Sequence, residues 1–237
     1  MLSLAGPFWA FLHPIIMLSI FWLIFSQVMP TRIVAENASI SYGFFLATGF
    51  FVWQFCSELI STGTNVLRGN ADTIKRLPVP LVFFFVEGLL LVLVGLLISF
   101  PLVLFFIVIF GIGPTATWLL AVPTLILVLS QAFSLAMICG LFNVFFRDVE
   151  LMLPAALQLL LWTAPVVYPV TAIGDSFRWL LYLNPFSAPM ILLREQLLYD
   201  HAGDPLQWLL AGGWAIFLAC CAGLLYRGMK YEVRDNL

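Results

Sequence analysis

The longest stretch of this chain without a charged side chain runs from Gly88 to Phe146, between Glu87 and Arg147. A bilayer core is crossed by about 20 apolar helical residues, so this stretch is far too long for one crossing. The sequence FGIGPTATW, residues 110–118, places glycine, proline and threonine inside it, which is typical of a turn. The pattern predicts two consecutive membrane-spanning helices joined by a short loop.

The composition excludes a water-soluble domain. Of the 237 residues, 63% are hydrophobic and 9% are charged, whereas about 25% of the residues of a soluble domain are charged. A water-facing surface cannot be made from so few charges, so we expect an integral membrane protein. The net charge is -2 and no basic tract occurs, so nucleic acid is not an expected partner.

Charge-free runs divide the chain into six predicted spans. These spans cover residues 6–29, 43–58, 80–109, 118–145, 151–168 and 205–226. Six spans place both termini on the same side of the membrane. If the termini are inside, the inner face carries seven Lys and Arg residues and the outer face carries three, as the positive-inside rule requires. We therefore expect cytoplasmic N- and C-termini.

Two predicted inner loops carry charges that suit contact with a soluble partner. In GTNVLRGNADTIKRLPVP, residues 63–80, the spacing of Leu67, Ala71 and Ile74 predicts a short amphipathic helix over about 65–77. Such a helix docks to a partner protein or lies among lipid headgroups, and the spacing does not decide between them. The second loop is FFRDVE at residues 145–150. It is either a charged hairpin that only fixes the membrane topology, or a further contact with the same partner.

The sequence contains no recognisable catalytic machinery. It has neither a phosphate-binding G-x-x-x-x-G-K-[ST] loop nor a G-x-G-x-x-G turn, and His13 and His201 stand alone. A carboxylate in a span is a functional candidate by default. We expect Glu58 to lie at the membrane interface and Glu87 to pair with a neighbouring helix or the inner headgroups. The chain is therefore expected to lack enzyme activity and cofactors of its own, with energy supplied by another subunit.

The segment from about residue 172 to 200 is too apolar for an exposed loop and is broken by prolines. Asp175 or Ser176 is expected to cap one helix, and Ser187 a second. At 1.5 Å per residue, each helix is roughly 14 to 18 Å long, about half a bilayer. The pattern predicts a re-entrant pair that dips into the outer leaflet, against protein or a water-filled cavity.

Polar residues of this pair are expected to face water or a partner subunit, and Pro165 and Pro169 to provide a bend at which the pair tilts. The candidate residues of this outer gate are Arg178, Trp179, Asn184, Pro185, Arg194 and Glu195.

Over nearly its whole length, the chain resembles the permease subunits of type-2 ABC transporters, in the polysaccharide-export branch. The resemblance rests on SLAGPFWAFLHPI at 3–15, GNADTIKRLPVP at 69–80, FFRDVELMLPAALQLLLWTAPVVYPV at 145–170 and FRWLLYLNPFSAPMILLREQLLY at 177–199. The family usually places a basic amphipathic helix before the first span. Here the first motif begins at Ser3, so we expect either that the start is misassigned or trimmed, or that this member lacks that helix.

The resemblance implies an all-α integral membrane protein with six transmembrane helices and the re-entrant pair between helices 5 and 6. It implies a homodimer that binds two copies of an ATPase subunit, and that subunit holds ATP and Mg²⁺. It also resolves the role of the inner helix in favour of docking to the ATPase. The implied ATPase-coupling residues are Asn70, Asp72, Lys75, Arg76, Arg147 and Asp148.

The implied cargo is a lipid-linked polysaccharide (O-antigen, capsule or teichoic acid) that crosses the bacterial inner membrane along a path lined mainly by the first and fifth helices. Aromatic and polar residues there either face the sugars or contact lipid at the interface. The candidate pathway residues are Trp9, Trp22, Phe25, Gln158, Trp162 and Tyr168.

Three other functions are compatible with parts of this pattern. A drug or small-lipid exporter of the same superfamily would have the same topology. An intramembrane enzyme would need a cluster of His, Asp or Glu at the membrane face. A secondary carrier would need ion ligands at the midplane and internal repeats. The sequence shows neither a cluster of His, Asp or Glu at the membrane face nor midplane ion ligands with internal repeats.

Overall fold

The computed structural model describes residues 32–35, 38–77, 79–109 and 112–236, together with 16, 19, 20, 23 and 24. The first predicted span lies almost entirely outside the described residues, and its candidates Trp9, Trp22 and Phe25 lie outside them completely.

The described part of the chain is mainly helical. A short antiparallel hairpin, which the sequence did not predict, precedes the helices and consists of β1 (Arg32–Ala35) and β2 (Ala38–Ser41). The helices are α1 (Tyr42–Gly69), α2 (Ala71–Arg76), α3 (Val82–Ile109), α4 (Ala121–Phe145), α5 (Asp148–Thr163), α6 (Trp179–Leu183), α7 (Ser187–Leu198) and α8 (Pro205–Asn236). Single 3-10 turns occur at Ala116–Leu120, Val170–Ala172 and Asp175–Phe177.

Four helical segments in the described chain are long and apolar enough to cross a membrane: Tyr42–Gly69, Val82–Ile109, Ala116–Phe145 and Pro205–Arg234. They coincide with the second, third, fourth and sixth predicted spans, which confirms a multi-pass membrane protein.

The fifth predicted span is occupied by α5, which has 16 residues and is therefore about 24 Å long. It stops at Thr163 because Pro165 disfavours helical geometry in the residue before it. Ala164 accordingly has an extended backbone, with φ -82° and ψ 146°. The helix ends five residues before the predicted boundary at Tyr168.

The helices α1 and α4 pack closely because small residues meet where they cross. A methyl group on Gly140 would lie 2.5 Å from the carbonyl oxygen of Gly63, and one on Gly63 would lie 2.6 Å from Cβ of Ala136. Small residues let helix backbones approach closely in lipid, where association depends on van der Waals packing. Near the same crossing, Nδ2 of Asn143 donates to the carbonyl of Thr64 over 2.9 Å.

The helix α7 lies inside the subunit, in contact with α1, α4 and α8. Four of its apolar side chains belong to the same hydrophobic core as those of α1, α3 and α4. They are Met190, Leu193, Leu197 and Leu198. By contrast, α3 and α8 expose many apolar side chains on the surface of the bundle, as expected for helices that face lipid.

Two helices continue beyond their predicted spans. α1 reaches Gly69, so residues 65–69 of the predicted inner helix belong to α1, and the break falls at Asn70. That residue leaves helical geometry (φ -109°, ψ 17°), and its Nδ2 donates back to the carbonyl of Val66 over 2.9 Å. At the other end of the chain, α8 runs to Asn236, ten residues past the predicted end of the sixth span.

Candidate functional site

The short helix α2 presents charged side chains on the surface of the bundle. Ile74 points inward and is 2% exposed, in one cluster with Leu67 of α1. Asp72, Lys75 and Arg76 are exposed. One buried apolar side chain therefore holds the helix against the bundle while its charges remain available to a soluble partner.

The turn between α4 and α5 lies at the same end of the bundle as α2. Asn143, near the end of α4, donates to the carbonyl of Thr64 and, over 3.2 Å, to Oδ1 of Asn65, near the end of α1. Arg147 and Asp148 follow in this turn and are both exposed. The structure therefore brings the two predicted partner-contacting loops to one end of the subunit.

A row of polar residues follows one face of α1. Gln54, Glu58, Ser61 and Asn65 are spaced i, i+4, i+7 and i+11, which places them on the same side of a helix, with Ser57 beside them. We call these five residues the polar stripe. Gln54 and Glu58 are exposed, and the other three are partly exposed.

An open cleft of about 380 Å³ separates the polar stripe from α5. Gln54, Ser57, Glu58 and Ser61 line it from α1, and Gln158 lines it from α5. The predicted pathway residue Gln158 therefore faces polar groups of another helix. Amides, hydroxyls and a carboxylate offer both donors and acceptors to a polar ligand.

A second open cleft, of about 500 Å³, lies on the other side of α1, against α3. Ser61 lines both clefts, and Asn65 and Glu87 line the second. The side chain of Glu87 is exposed and faces this cleft. Both carboxylates that the sequence places in or near spans thus lie in clefts beside α1.

The two aromatic candidates on and after α5 lie near its C-terminal end. The side chain of Trp162 is 54% exposed, and the α1–α5 cleft is lined by Leu161 rather than by Trp162. The hydroxyl of Tyr168 donates to the carbonyl of Trp162 over 2.7 Å. Tyr168 thus supplies a donor to the end of α5, where carbonyls lose their helical partners.

Asn184 joins the predicted outer pair to α5. Its side chain is 4% exposed, and Nδ2 donates to the carbonyl of Leu160 and to Oγ1 of Thr163, each over 2.8 Å. Its Oδ1 accepts the backbone N–H of Phe186 over 2.9 Å. The expectation that Ser187 caps the second helix is wrong, because Ser187 is its first residue and its hydroxyl has no hydrogen-bond partner. Asn184 supports the turn instead.

The expectation that Arg194 faces water or a partner subunit is wrong. Arg194 is 3% exposed, and its guanidinium donates to the carbonyls of Phe45, Pro165 and Val166. Its Cζ lies 3.6 Å from the centroid of the Phe45 ring. The charge is held by backbone dipoles and an aromatic face. The carbonyls of Pro165 and Val166 lie in the non-helical segment after α5, where buried carbonyls need donors from elsewhere in the fold.

The other predicted gate residues differ in how far they are buried. Arg178 and Trp179 are exposed and Pro185 is buried. Glu195 is partly buried, and its Oε2 lies 3.5 Å from Nδ1 of His201. α6 thus lies at the surface while α7 lies inside the bundle.

The sequence analysis missed most of the polar stripe. Gln54, Ser57, Ser61 and Asn65 were not singled out, although their helical spacing within an apolar segment was a usable signal. Among the described residues, no group of three or more His, Cys, Asp or Glu side chains is placed to hold a metal ion.

Comparison with known proteins identifies the family of this chain. The O-antigen export system permease protein RfbA of Klebsiella pneumoniae is 28% identical over 201 residues, which cover 81% of the chain and 73% of that protein. The protein of the same name from Myxococcus xanthus is 26% identical over 242 residues, which cover 99% of the chain and 89% of that protein. A family model described as ABC-2 type transporter matches residues 3–198. The chain therefore belongs to the ABC-2 type transporter family.

Proposed function

We propose that this chain is the membrane-spanning permease subunit of an ATP-driven exporter that moves lipid-linked O-antigen polysaccharide across the bacterial inner membrane. Membership of the ABC-2 type transporter family supports a membrane transport subunit that carries no ATPase of its own. The relatives named as O-antigen export permeases support the class of cargo.

The observation that carries the proposal is the polar stripe on a membrane-spanning helix. Glu58 lies about 24 Å along α1 from Tyr42 at 1.5 Å per residue, within a bilayer core of about 30 Å. A charged side chain facing lipid costs about 2.5 to 3.5 kcal/mol at the centre of a span and less towards its ends, where Glu58 lies. Gln54, about 18 Å along α1 from Tyr42, lies closer to the centre. The exposed face of α1 at Gln54 and Glu58 therefore faces water or protein in the membrane.

The chemistry of the α1–α5 cleft suits a polyhydroxylated cargo. Its lining residues include amides, hydroxyls and one carboxylate, and contain no Lys or Arg. Sugar hydroxyls both donate and accept hydrogen bonds, so they can exchange water for such a lining at little net cost. The absence of a cation among these lining residues favours the sugar part of the cargo over its phosphate as the group that passes the cleft.

The open cleft also suits a dimer. On one subunit the polar stripe and Gln158 lie at the surface of the bundle, where lipid would meet them in a monomer. A second copy of the chain, facing the same surface, would enclose the path between two stripes. Each copy would bind one ATPase subunit through α2 and the α4–α5 turn, and that subunit would supply ATP and Mg²⁺.

The outer segment suits a re-entrant gate. The ring of Phe186 lies 5.5 Å from that of Trp53, which is about 17 Å along α1 from Tyr42, so the turn lies at roughly half the depth of the membrane. From there α7 returns to the outer end, where Oγ1 of Thr117 donates to the carbonyl of Gln196 over 2.8 Å.

Opening of this gate is proposed to involve the end of α5 as well as the pair itself. Asn184 and Arg194 bond the turn and α7 to the end of α5. A tilt of the pair alone, about Pro165 and Pro169, would break these hydrogen bonds. We therefore infer that the turn, α7 and the end of α5 move together.

The proposal is tested by deleting the gene from the bacterium that encodes the chain and restoring it on a plasmid. We expect lipid-linked polymer to accumulate on the inner leaflet and to disappear from the cell surface, and the intact chain to reverse both effects. Normal surface O-antigen in the deletion strain would overturn the cargo assignment. If a capsular polymer disappears instead, the exporter assignment stands with another cargo.

A further inference from the structure

The last part of α8 is longer than a membrane crossing requires. α8 has 32 residues, and is therefore about 48 Å long, against a hydrocarbon core of about 30 Å. Residues Arg227–Asn236 follow the predicted end of the span and contain Arg227, Lys230 and Arg234. We call these ten residues the α8 extension.

The α8 extension packs against the same apolar cluster as the coupling helix α2. Val233 is 0% exposed, and Ile74 of α2 is 2% exposed. Both belong to one hydrophobic cluster with Leu67 at the end of α1 and Leu81 before α3. The α8 extension and α2 therefore share a single apolar support at the inner end of the bundle.

A hydrogen bond from Arg234 reinforces this packing. Nη2 of Arg234 donates to the carbonyl of Val79, with a longer contact of 3.4 Å to the carbonyl of Leu77. Both carbonyls belong to the segment that follows α2. Leu77 is already extended, with φ -111° and ψ 133°, so its carbonyl is outside the helix. A guanidinium, with five donors in a planar fork, suits two such acceptors.

We propose that Val233 and Arg234, on the side of the α8 extension that faces α2, are a second element of the ATPase-coupling site, and that Arg234 is a positioning residue that holds α2 for docking. This inference rests on the proposed function, in which the ATPase engages α2. A helix of six residues is not stable alone, so its position depends on the contacts around it. A displacement of α2 by the ATPase passes through Arg234 and Val233 into α8, and so into the membrane domain by a route additional to α1 and α3.

The test uses the complete complex of permease and ATPase, reconstituted in lipid. Arg234→Ala should lower the kcat of permease-dependent ATP hydrolysis about tenfold, because α2 without this hydrogen bond occupies its docking position for a smaller fraction of the time. The KM for ATP should stay unchanged, because ATP binds on the other chain. Arg234→Lys should restore part of the rate. Arg227→Ala, an exposed arginine two turns earlier on the same helix, is the matched control and should behave as the parent.

Amide hydrogen exchange provides a readout that does not depend on activity. Arg234→Ala should speed exchange in residues 71–77 while the spanning helices keep their protection. If the alanine variant does not accumulate in the membrane, Arg234→Gln takes its place under the same criteria. Parent-like exchange at 71–77 together with a parent-like kcat would overturn the inference.

The Lys75→Glu, Arg76→Glu double variant separates this inference from the proposed function. If the double variant loses coupled hydrolysis while Arg234→Ala retains it, α2 is the coupling helix and the role of Arg234 is wrong. If both retain it, the assignment of α2 as the coupling helix fails, and the inference fails with it.

Discussion

The guanidinium of Arg194 occupies the space beside Gly49 that any side chain there would need. A methyl group on Gly49 would lie 2.9 Å from Cζ of Arg194 and 3.1 Å from the carbonyl oxygen of Val166. The close approach lets α1, α7 and the end of α5 meet at one point. Arg194 donates to all three of its acceptors at this contact, so its guanidinium links α7 to α1 and to the segment after α5.

Gly49→Ala should destabilise the protein by about 1 to 3 kcal/mol, as overpacking of a filled interior does. The measurement is the melting temperature of the detergent-solubilised protein. Gly213→Ala on α8 is the control, since a methyl group there has open space and alanine favours the helix by up to about 1 kcal/mol. Equal melting temperatures for the two variants would contradict the packing described at Gly49.

Reversal of the α2 charges, Lys75→Glu with Arg76→Glu, should uncouple the ATPase without preventing insertion. Both side chains are exposed, so the fold should tolerate the change while a docking surface should not. The measurement is permease-dependent ATP hydrolysis in the reconstituted complex. Arg227→Glu with Lys230→Glu, the control, makes the same change of net charge elsewhere at the same end of the bundle. Normal coupled hydrolysis in the α2 variant would remove α2 from the docking surface.

A cysteine at Gln158 should react with a water-soluble thiol reagent, whereas one at Phe217 should not. Both positions are exposed on the bundle, but Gln158 lines the polar cleft and Phe217 lies on the apolar surface of α8. The experiment uses a background in which Cys56, Cys139, Cys220 and Cys221 are replaced. The measurement is the labelled fraction in intact membranes. Equal labelling at the two sites would contradict a water-filled path beside α5.

Asn184→Ala should make the resting transporter leak small solutes. The change removes two donors to α5 and the acceptor that supports the turn at Phe186, each worth about 1 to 3 kcal/mol when a buried partner is left unpaired. The measurement is solute release from vesicles without ATP. Ser176→Ala, on the exposed side of the same segment, should stay tight. If Asn184→Ala is equally tight, the outer segment does not close a path.

The positions of four membrane-crossing helices could be read from the chain because lipid imposes a local rule. A crossing helix needs an uninterrupted apolar run, and the charges that end it are visible in the sequence. The exposed charges of α2 and the buried Ile74 also follow from helical spacing. The end of α1 was misplaced, since the break at Asn70 depends on one side chain bonding to the carbonyl of Val66.

The sequence by itself determined that this chain crosses a membrane repeatedly and carries a broken apolar segment near its end. Only the tertiary structure decided that Arg194 points inward and that Arg234 reaches the segment after α2. The acceptors of Arg194 lie 28 to 149 residues away along the chain, and Val79 lies 155 residues from Arg234. These acceptors are backbone carbonyls, which every residue carries. A sequence therefore shows that an arginine needs partners, but the fold alone selects which carbonyls they are.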